Sequence, residues 1–206
     1  MRQIQLLIKR LADIVLSAAA LILLSPILLL IALVIKIKSP GPVFFRQKRL
    51  GRKARIFRIF KFRTMHHNAP VLTNADGSTY TGTDDPRIFP IGSKLRKYSL
   101  DELPQFINVF LGDMSIVGPR PDMEEHLQMY GPHQMQKLDM KPGITGWAAV
   151  NGRNSIPWEK RVELDIWYID HYSLWLDLKT ALMTIPVLLF GKGINQKTNS
   201  SQAVKD

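Results

Sequence analysis

An apolar segment near the N-terminus constrains this chain more than any other feature. Residues 11–35 are 25 residues long and carry a single charged side chain, Asp13. A straight helix rises about 1.5 Å per residue, so this segment could cross a hydrocarbon core of about 30 Å. A soluble core helix is seldom apolar on every side, and a signal peptide has a shorter apolar run followed by a cleavage site. We therefore expect this segment to lie in a membrane.

The dipeptide Ser25-Pro26 predicts a break near the middle of the segment. Proline removes a helical hydrogen bond, and the serine hydroxyl can partly satisfy the carbonyls that are freed. Basic residues flank both ends of the apolar run, namely Lys9, Arg10, Lys36 and Lys38. Because basic flanks tend to stay on the cytosolic side, we expect two half-helices that enter the membrane and return, rather than one that crosses.

The charge distribution indicates an anionic partner. The 206-residue chain has a formal net charge of +11, and it contains no Asp or Glu between Ile14 and Ala75. Eleven Lys and Arg lie between Lys36 and Arg63. Such a block beside an apolar segment favours lipid headgroups, phosphates or nucleic acid as partners. The absence of cysteine excludes disulfides, thiolate metal sites and cysteine nucleophiles.

Beyond the apolar segment, the pattern predicts an α+β fold that is mostly helical and compact. Two short strands, 43–48 and 55–62, flank a turn at Leu50-Gly51-Arg52-Lys53 and form a β-hairpin. Helices are expected over 91–96, from Asp101 or Leu103 to about Gly112, over 122–140 with a break at Gly131-Pro132, over 157–171 and over 174–190. The last helix suits an amphipathic segment on the membrane surface, and a core helix fits its pattern equally well.

The chain divides into three parts on this interpretation. A re-entrant membrane helix occupies residues 1–38, a cytosolic interfacial domain occupies 39–195, and a polar tail that we expect to be disordered occupies 196–206. Within the domain, residues 66–87 are rich in Asn, Asp, Gly, Thr and Pro. Such a long loop is usually a functional lid or a flexible insertion.

Two adjacent carboxylates, Asp101 and Glu102, stand between Leu100 and Leu103. Adjacent acids in an apolar setting repel each other and resist desolvation, so at least one of them needs a cation or a shifted pKa. The same two residues also fit the first turn of a helix, where acids are common. On these residues alone, two acids at the start of a helix are more frequent than a functional carboxylate pair. The choice between the two therefore depends on the other motifs of the chain.

Several cations in the sequence suit phosphate groups. In Gly118-Pro119-Arg120-Pro121 two prolines hold a guanidinium in a rigid turn, and the glycine allows close backbone approach. Arg96 and Arg153 lie in similarly restricted contexts, while Lys61 and Arg63 could grip phosphate or serve as edge-strand charges. Arginines around a carboxylate pair indicate phosphoryl chemistry, in which a divalent ion bridges acid and phosphate oxygens.

Taken together and in order, these motifs resemble the bacterial monotopic phosphoglycosyl transferases, also called initiating sugar transferases. The matching motifs are Ser25-Pro26, Lys61-Phe62-Arg63-Thr64-Met65, Leu95-Arg96, Ser99-Leu100-Asp101-Glu102-Leu103-Pro104-Gln105, Gly112-Asp113-Met114-Ser115, Gly118-Pro119-Arg120-Pro121, Pro142-Gly143-Ile144-Thr145-Gly146-Trp147 and Val150-Asn151-Gly152-Arg153-Asn154. In size the chain is similar to the minimal members, including those that start protein N-glycosylation with diacetylbacillosamine phosphate.

The resemblance implies an activity and a site. A sugar 1-phosphate would pass from a UDP-sugar to undecaprenyl phosphate through a covalent aspartyl-phosphosugar intermediate, with release of UMP. Asp101 would be the nucleophile, and Glu102 would assist as a ligand of Mg²⁺ or as an acid–base partner. The substrate phosphates would be held by Arg96, Arg120, Arg153, Lys61 and Arg63. The implied location is the cytosolic face of the bacterial inner membrane, with a monotopic topology in contact with membrane lipids.

A second interpretation is a membrane-anchored basic module that binds anionic lipid or nucleic acid through residues 36–63 without catalysis. It explains the charge but leaves the carboxylate pair and the fixed arginines without a role, so we expect an enzyme and no nucleic-acid partner. The sequence leaves open the sugar, the glycoconjugate pathway (glycoprotein, capsule, O-antigen or exopolysaccharide) and whether the chain forms a homodimer.

Overall fold

The architecture is α+β and mostly helical, as expected, and the computed structural model describes residues 2–70, 72, 85–152 and 155–190. One long helix, α1 (Arg2–Lys38), precedes an antiparallel hairpin of β1 (Phe44–Leu50) and β2 (Ile56–Phe62). The later α-helices are α2 (Pro90–Lys97), α3 (Gln105–Leu111), α4 (Pro132–Met135), α5 (Trp147–Val150), α6 (Trp158–Asp170) and α7 (Leu174–Phe190). Strands β3 (Ser115–Val117) and β4 (Gly143–Thr145) form a parallel pair. Short 3-10 helices cover Arg52–Ala54, Leu100–Glu102, Glu124–Met129 and Gln136–Asp139.

Helix α1 extends from Arg2 to Lys38 with Pro26 inside it, so the two expected half-helices belong to one helical segment. Pro26 has no N–H to donate to the carbonyl of Ile22, four residues earlier. The Ser25 hydroxyl donates to that same Ile22 carbonyl at 2.8 Å. The serine thus compensates for the proline as predicted, and this explains why the helix continues. Whether the segment returns within the membrane stays a prediction.

Both ends of α1 are fastened to the domain, while its middle is exposed. Near its start, Lys9 forms a 2.7 Å ion pair with Asp177, and an Asp13 carboxylate oxygen accepts a hydrogen bond from the backbone of β3. Near its end, Ile35 is fully buried. Between them Leu23 is 77% exposed. Among the described residues, α1 is the one helix long and apolar enough to cross a membrane.

The hairpin is buried on parts of both faces. On one face of the hairpin, Phe57 and Ile59 belong to a buried apolar cluster of the domain. On the other face, Phe62 packs against the end of α1. Side chains alternate along a strand, and cross-strand partners share a face. Arg49 pairs with Phe57 in the register, so Arg49 and Lys61 lie on the same face as Phe57 and Ile59.

The C-terminal helices follow the predicted segments closely. Helix α6 buries Val162 and Tyr168, and α7 packs Leu176 and Thr180 against the domain. The opposite face of α7 exposes a stripe of large apolar side chains, namely Trp175, Leu178, Leu182, Ile185 and Leu189. The expected long helix over 122–140 is replaced by three short pieces. Asp122 turns inward to accept from Tyr130 and Lys137, which bends the segment around its side chain.

The predicted tail 196–206 lies outside the described residues, and the predicted 66–87 loop falls largely outside them. The two ends of the loop meet, because the backbone N–H of His66 donates to the Arg87 carbonyl at 2.7 Å. Asp85 and Arg87 form a buried ion pair beside this junction. The loop is therefore closed at its base by the domain.

Candidate active site

Asp101 and Glu102 lie together in the 3-10 helix Leu100–Glu102, and each is 9% exposed. Helix α3 begins only at Gln105, so the two acids precede its first turn. The predicted helix start is therefore confirmed for this 3-10 helix, and α3 itself begins three residues after Glu102. Ser99, just before the acids, has the left-handed backbone angles φ 54° and ψ 24°. A non-glycine residue adopts this conformation at a cost of roughly 1–3 kcal/mol, and such strain is concentrated at functional sites.

Glu102 is held between two cations that come from different parts of the fold. Lys61 Nζ, on β2, lies 2.7 Å from Glu102 Oε1, and Arg120 Nη2, after β3, lies 3.6 Å from the same oxygen. The Arg120 side chain remains 36% exposed, so its guanidinium can also reach a ligand. The structure thus brings together four of the residues that the sequence singled out, Lys61, Asp101, Glu102 and Arg120.

Arg49 also reaches this group, although the sequence analysis did not select it. Its Nη1 donates to the Pro121 carbonyl at 3.3 Å, and its Nη2 donates to Gln47 Oε1 at 2.6 Å. Burial, together with the nearby charge of Arg120, lowers the pKa of Arg49 to about 10, so the side chain is still protonated at neutral pH. Its place on the face of Phe57 follows from the register of the hairpin, which no motif in the sequence gives.

The turn that carries Arg120 is fixed by backbone contacts between two loops. The Gly118 N–H donates to the Thr145 carbonyl at 2.9 Å, and the Gly143 N–H donates to the Pro119 carbonyl at 2.8 Å. A Cβ added to Gly146 would lie 2.0 Å from the Gly118 oxygen. Only glycine allows backbones to approach this closely. The close approach that was predicted for the Gly118 turn is confirmed.

A buried charge network supports the same turn from behind. The Arg120 backbone N–H donates to Asp165 Oδ2 at 3.3 Å, and Lys137 Nζ lies 3.2 Å from that oxygen. Lys137 also donates to Asp122 Oδ2 at 2.5 Å, and the Tyr130 hydroxyl donates to the same atom at 2.5 Å. The network connects α6 to the Arg120 turn through residues far apart in the sequence. Sequence reasoning had no local signal for it.

The two acids of this network titrate in opposite directions. Burial raises the pKa of Asp165 to about 6, although Lys137 opposes the rise. Burial acts on Asp122 too, but the charge of Lys137 and the hydrogen bonds from His126, Lys137 and Tyr130 hold the pKa of Asp122 far below its usual range. Within the part of the chain that the structure describes, Asp165 Oδ1 is buried without a hydrogen-bond partner, which suits a carboxyl that binds a proton.

Arg63 does not join the group around Glu102. It is 4% exposed, and its guanidinium donates to the Pro42 carbonyl, the Ser39 hydroxyl and the Ser39 carbonyl at 2.6–2.8 Å. Strand β2 ends at Phe62, so the alternation that would place Arg63 beside Lys61 ends there. Arg63 therefore ties the loop after α1 to the hairpin.

Arg96 lies in α2, partly buried, and faces a different acid. The hydrogen bond from the Arg87 side chain lowers the pKa of Asp85 despite burial, and the charges of Arg87 and Arg96 act in the same direction. Arg153 lies outside the described residues. The roles of Arg96 and Arg153 in binding phosphate stay predictions.

The carboxylate pair fits a magnesium ion that takes most of its ligands from substrate. Magnesium is usually bound by one or two carboxylates together with water and substrate phosphates. Glu102 Oε1 accepts a hydrogen bond from Lys61, and the carboxyl of the adjacent Asp101 is the other group of the pair that could bind such an ion. In the described ranges no group of three His, Asp or Glu is arranged to hold a metal by itself.

Residues 4–191 match the family of bacterial sugar transferases. The chain belongs to this family. It is 42% identical over 191 residues to an uncharacterized sugar transferase of Bacillus subtilis, EpsL, with 93% of this chain and 92% of the relative covered. The resemblance found in the motifs is confirmed, and the chain is an enzyme of the sugar transferase class.

Two further relatives of this sugar transferase carry more specific names. One is the UDP-glucose:undecaprenyl-phosphate glucose-1-phosphate transferase of Escherichia coli, 46% identical over 187 residues that cover 87% of this chain and 39% of the relative. The other is the exopolysaccharide production protein ExoY of Rhizobium meliloti, 37% identical over 196 residues that cover 90% and 87%. The chain therefore spans about two fifths of the E. coli protein and most of ExoY.

Proposed function

We propose that this sugar transferase moves a sugar 1-phosphate from a UDP-sugar to undecaprenyl phosphate, at the start of exopolysaccharide or capsule synthesis. The observation that carries the proposal is the placement of Glu102 between Lys61 and Arg120, directly beside Asp101. The name of the E. coli relative supports this donor and acceptor, and the name of ExoY supports the pathway class.

In the first step, a carboxylate oxygen of Asp101 attacks the sugar-bearing phosphorus of the donor. A phosphorus–oxygen bond to Asp101 forms, the bond to the UMP oxygen breaks, and UMP leaves with the electron pair. Negative charge gathers on the phosphoryl oxygens and on the departing UMP. Arg120 and Lys61 are placed to offset that charge, and Arg96 and Arg153 remain candidates for holding the nucleotide phosphates.

In the second step, a phosphate oxygen of undecaprenyl phosphate attacks the same phosphorus. The bond to Asp101 breaks, the carboxylate is regenerated, and the product is a lipid diphosphate that carries the sugar. Two displacements at one phosphorus through a covalent intermediate give a two-step exchange. Glu102 keeps Lys61 and Arg120 in position through both steps.

Asp101, assisted by Glu102, would hold Mg²⁺, which would neutralise part of the charge of the diphosphate when it is bound. The protein side chains then orient the donor and exclude competing water around the buried Asp101. Asp101 is suited to this combination because it is largely shielded from solvent and lies directly beside Glu102 and its two cations.

The site operates at the cytosolic surface of the inner membrane in this proposal, with α1 entering the bilayer and returning. The exposed apolar surface of α1 and the apolar stripe of α7 support a membrane contact on one side of the domain. Trp175 at the start of α7 is 70% exposed, and tryptophan favours the membrane interface. A monotopic arrangement lets the lipid acceptor present its phosphate to the site while its tail stays in the bilayer.

The sugar is to be assigned by experiment. The relatives include proteins named for glucose 1-phosphate and for N-acetylgalactosamine phosphate transfer, so a diacetylbacillosamine donor is not favoured by these names. UDP-glucose is the first donor to test, followed by UDP-galactose and UDP-N-acetylhexosamines. UMP release that depends on undecaprenyl phosphate and Mg²⁺ identifies the donor.

The nucleophile is tested with a donor that carries ³²P in the sugar-bearing phosphate. The wild-type chain should retain label covalently when the lipid acceptor is withheld, and Asp101→Asn should lose both this label and UMP release. Asp170→Asn, at the exposed end of α6, is the matched control and should behave as wild type. Full turnover by Asp101→Asn would remove the assignment of Asp101.

A further inference from the structure

A basic cavity lies at the tip of the hairpin. The residues that line it differ from those around Glu102. It has a volume of about 300 Å³. Four cationic side chains and one acid contribute to its walls, namely Arg52, Lys53, Arg55, Lys141 and Asp113. The excess of positive charge makes this cavity suited to an anion.

The backbone at the hairpin tip is folded in a way that presents these cations together. Lys53 and Ala54 both have left-handed backbone angles, with φ of 56° and 59°. Such angles are costly for residues with a side chain, and two in succession point to a functional requirement. Arg52 Nε donates to the Asp139 carbonyl at 2.9 Å, which fixes one wall of the cavity.

The cations in and beside the cavity are not fully compensated. Burial lowers the pKa of Lys141, and the charges of Arg10 and Arg52 lower it further, while Asp13 and Asp113 act in the opposite direction. A Cβ added to Gly112 would lie 3.1 Å from Arg10 Nη2 and 3.5 Å from Lys141 Nζ. Two cations thus converge on Gly112 in the cavity wall, and a bound anion would reduce their mutual repulsion.

The cavity lies beside the N-terminal part of α1, because Arg10 of this helix approaches Gly112 in the cavity wall. Arg10 immediately precedes the apolar run of α1, and its guanidinium donates to the Val109 and Phe110 carbonyls at 2.7 and 3.0 Å. These carbonyls belong to the end of α3, where Phe110 and Leu111 are 46% and 64% exposed. Basic groups beside an apolar surface match the level of the lipid phosphates.

We propose that this cavity binds the phosphate of an anionic phospholipid headgroup. The concave shape and the volume suit a single phosphate-bearing headgroup, and they are less suited to an extended nucleic acid backbone. The bound headgroup would fix the height of the hairpin, and with it Lys61, relative to the membrane. This inference does not depend on the reaction proposed for Asp101, because it concerns a separate cavity.

The test uses the full chain in detergent, titrated with phosphatidylglycerol or phosphatidylcholine and observed by native mass spectrometry. Wild type should retain one phosphatidylglycerol in preference to phosphatidylcholine. The double variant Lys53→Gln and Arg55→Gln should weaken that retention about thirtyfold, since each of the two basic residues near a lipid surface contributes about 1 kcal/mol. The control removes two exposed cations elsewhere, with Lys94→Gln and Lys160→Gln, and should retain the lipid.

Three results would overturn the proposal. The first is equal retention of both lipids by wild type, and the second is an equal loss in the cavity variant and its control. The third is displacement of phosphatidylglycerol by inorganic phosphate or glycerol 3-phosphate at similar concentration, which would show a site for soluble phosphate. Both variants have exposed substitutions, and thermal unfolding of each should match wild type and thereby confirm that the fold is intact.

Discussion

Lys61 Nζ lies 2.7 Å from Glu102 Oε1, and this ion pair joins the hairpin to the turn that carries Asp101. Both side chains are largely buried, at 18% and 11% exposure, so removal of one leaves the other poorly solvated. We expect Lys61→Met to abolish most transfer and to destabilise the fold by roughly 1–3 kcal/mol. Turnover and thermal unfolding measure the two effects.

A double-variant cycle separates this pair from general damage to the hairpin. Lys61→Met, Glu102→Gln and their combination should show a coupling energy well above the ~0.5 kcal/mol expected of independent sites. Arg58→Met is the matched control, because Arg58 is exposed on the opposite face of the same strand. Additive effects of Lys61→Met and Glu102→Gln would contradict a direct role for the pair.

Arg49 is expected to matter as much as the residues that the motifs identified. Its contacts hold the Pro121 end of the Arg120 turn, and its charge lies beside Arg120. Arg49→Gln should lower kcat/KM for the UDP-sugar about 10- to 100-fold, equivalent to about 1.4–2.7 kcal/mol of lost stabilisation. Lys48→Gln is the control, because Lys48 precedes Arg49 and lies on the other face of the strand. This substitution should change kcat/KM little. Equal effects of the two substitutions would contradict the assignment.

Sequence reasoning succeeded where the signal is local. The apolar run 11–35 specifies a helix through its composition, and the turn residues between 50 and 53 specify the hairpin. The Asp101-Glu102 pair could be singled out because its two charges are adjacent. The Gly118 turn could be interpreted because proline and glycine restrict the backbone in known ways.

The remaining features depend on contacts that no local pattern records. Arg49 reaches Arg120 only because the register pairs Arg49 with Phe57 and turns it toward the domain. Asp165 meets the Arg120 turn across 45 residues of chain. Arg63 was misassigned because the strand that would have aligned it with Lys61 ends one residue earlier.

Asp165 should make stability depend on pH in a recognisable direction. Its pKa is raised to about 6 in the folded state from 3.8, so the folded state binds the extra proton between those values. The stabilisation from this proton is fully present below about pH 4 and is lost as pH rises through about 6, by an amount on the order of 3 kcal/mol. Asp122 acts oppositely, because its lowered pKa contributes stability that is lost as pH falls below its usual range.

The measurement compares wild type with Asp165→Asn by thermal unfolding between pH 5 and pH 8. Asparagine can still accept the hydrogen bond from the Arg120 N–H but cannot titrate. The difference in stability, wild type minus variant, should therefore decrease as pH rises through about 6. Asp170→Asn, on the exposed end of the same helix, should give a curve parallel to wild type. Parallel curves for Asp165→Asn would contradict the raised pKa.

Gly146 should tolerate no side chain. A Cβ there would lie 2.0 Å from the Gly118 oxygen, and rigid backbone surrounds both atoms. Gly146→Ala should cost about 2–3 kcal/mol and reduce turnover by displacing the Arg120 turn. Gly131→Ala is the control, because the added Cβ would meet only the end of the flexible Gln134 side chain at 3.0 Å. Unchanged turnover and melting temperature in Gly146→Ala would show that the two loops can separate.

The membrane path of α1 can be tested directly because the chain has no cysteine of its own. If α1 returns at Ser25-Pro26, a cysteine at Gln3 should resist a membrane-impermeant maleimide in intact cells and react after permeabilisation. Ser93→Cys, exposed on α2, gives the reference for the cytosolic side. Replacing Pro26 by alanine supplies the N–H that the Ile22 carbonyl lacks, which removes the cause of a bend at this position. In that variant we expect a straighter helix, with part of the Gln3→Cys population on the outer side of the membrane. Labelling of Gln3→Cys from outside in the chain that keeps Pro26 would instead establish a crossing helix.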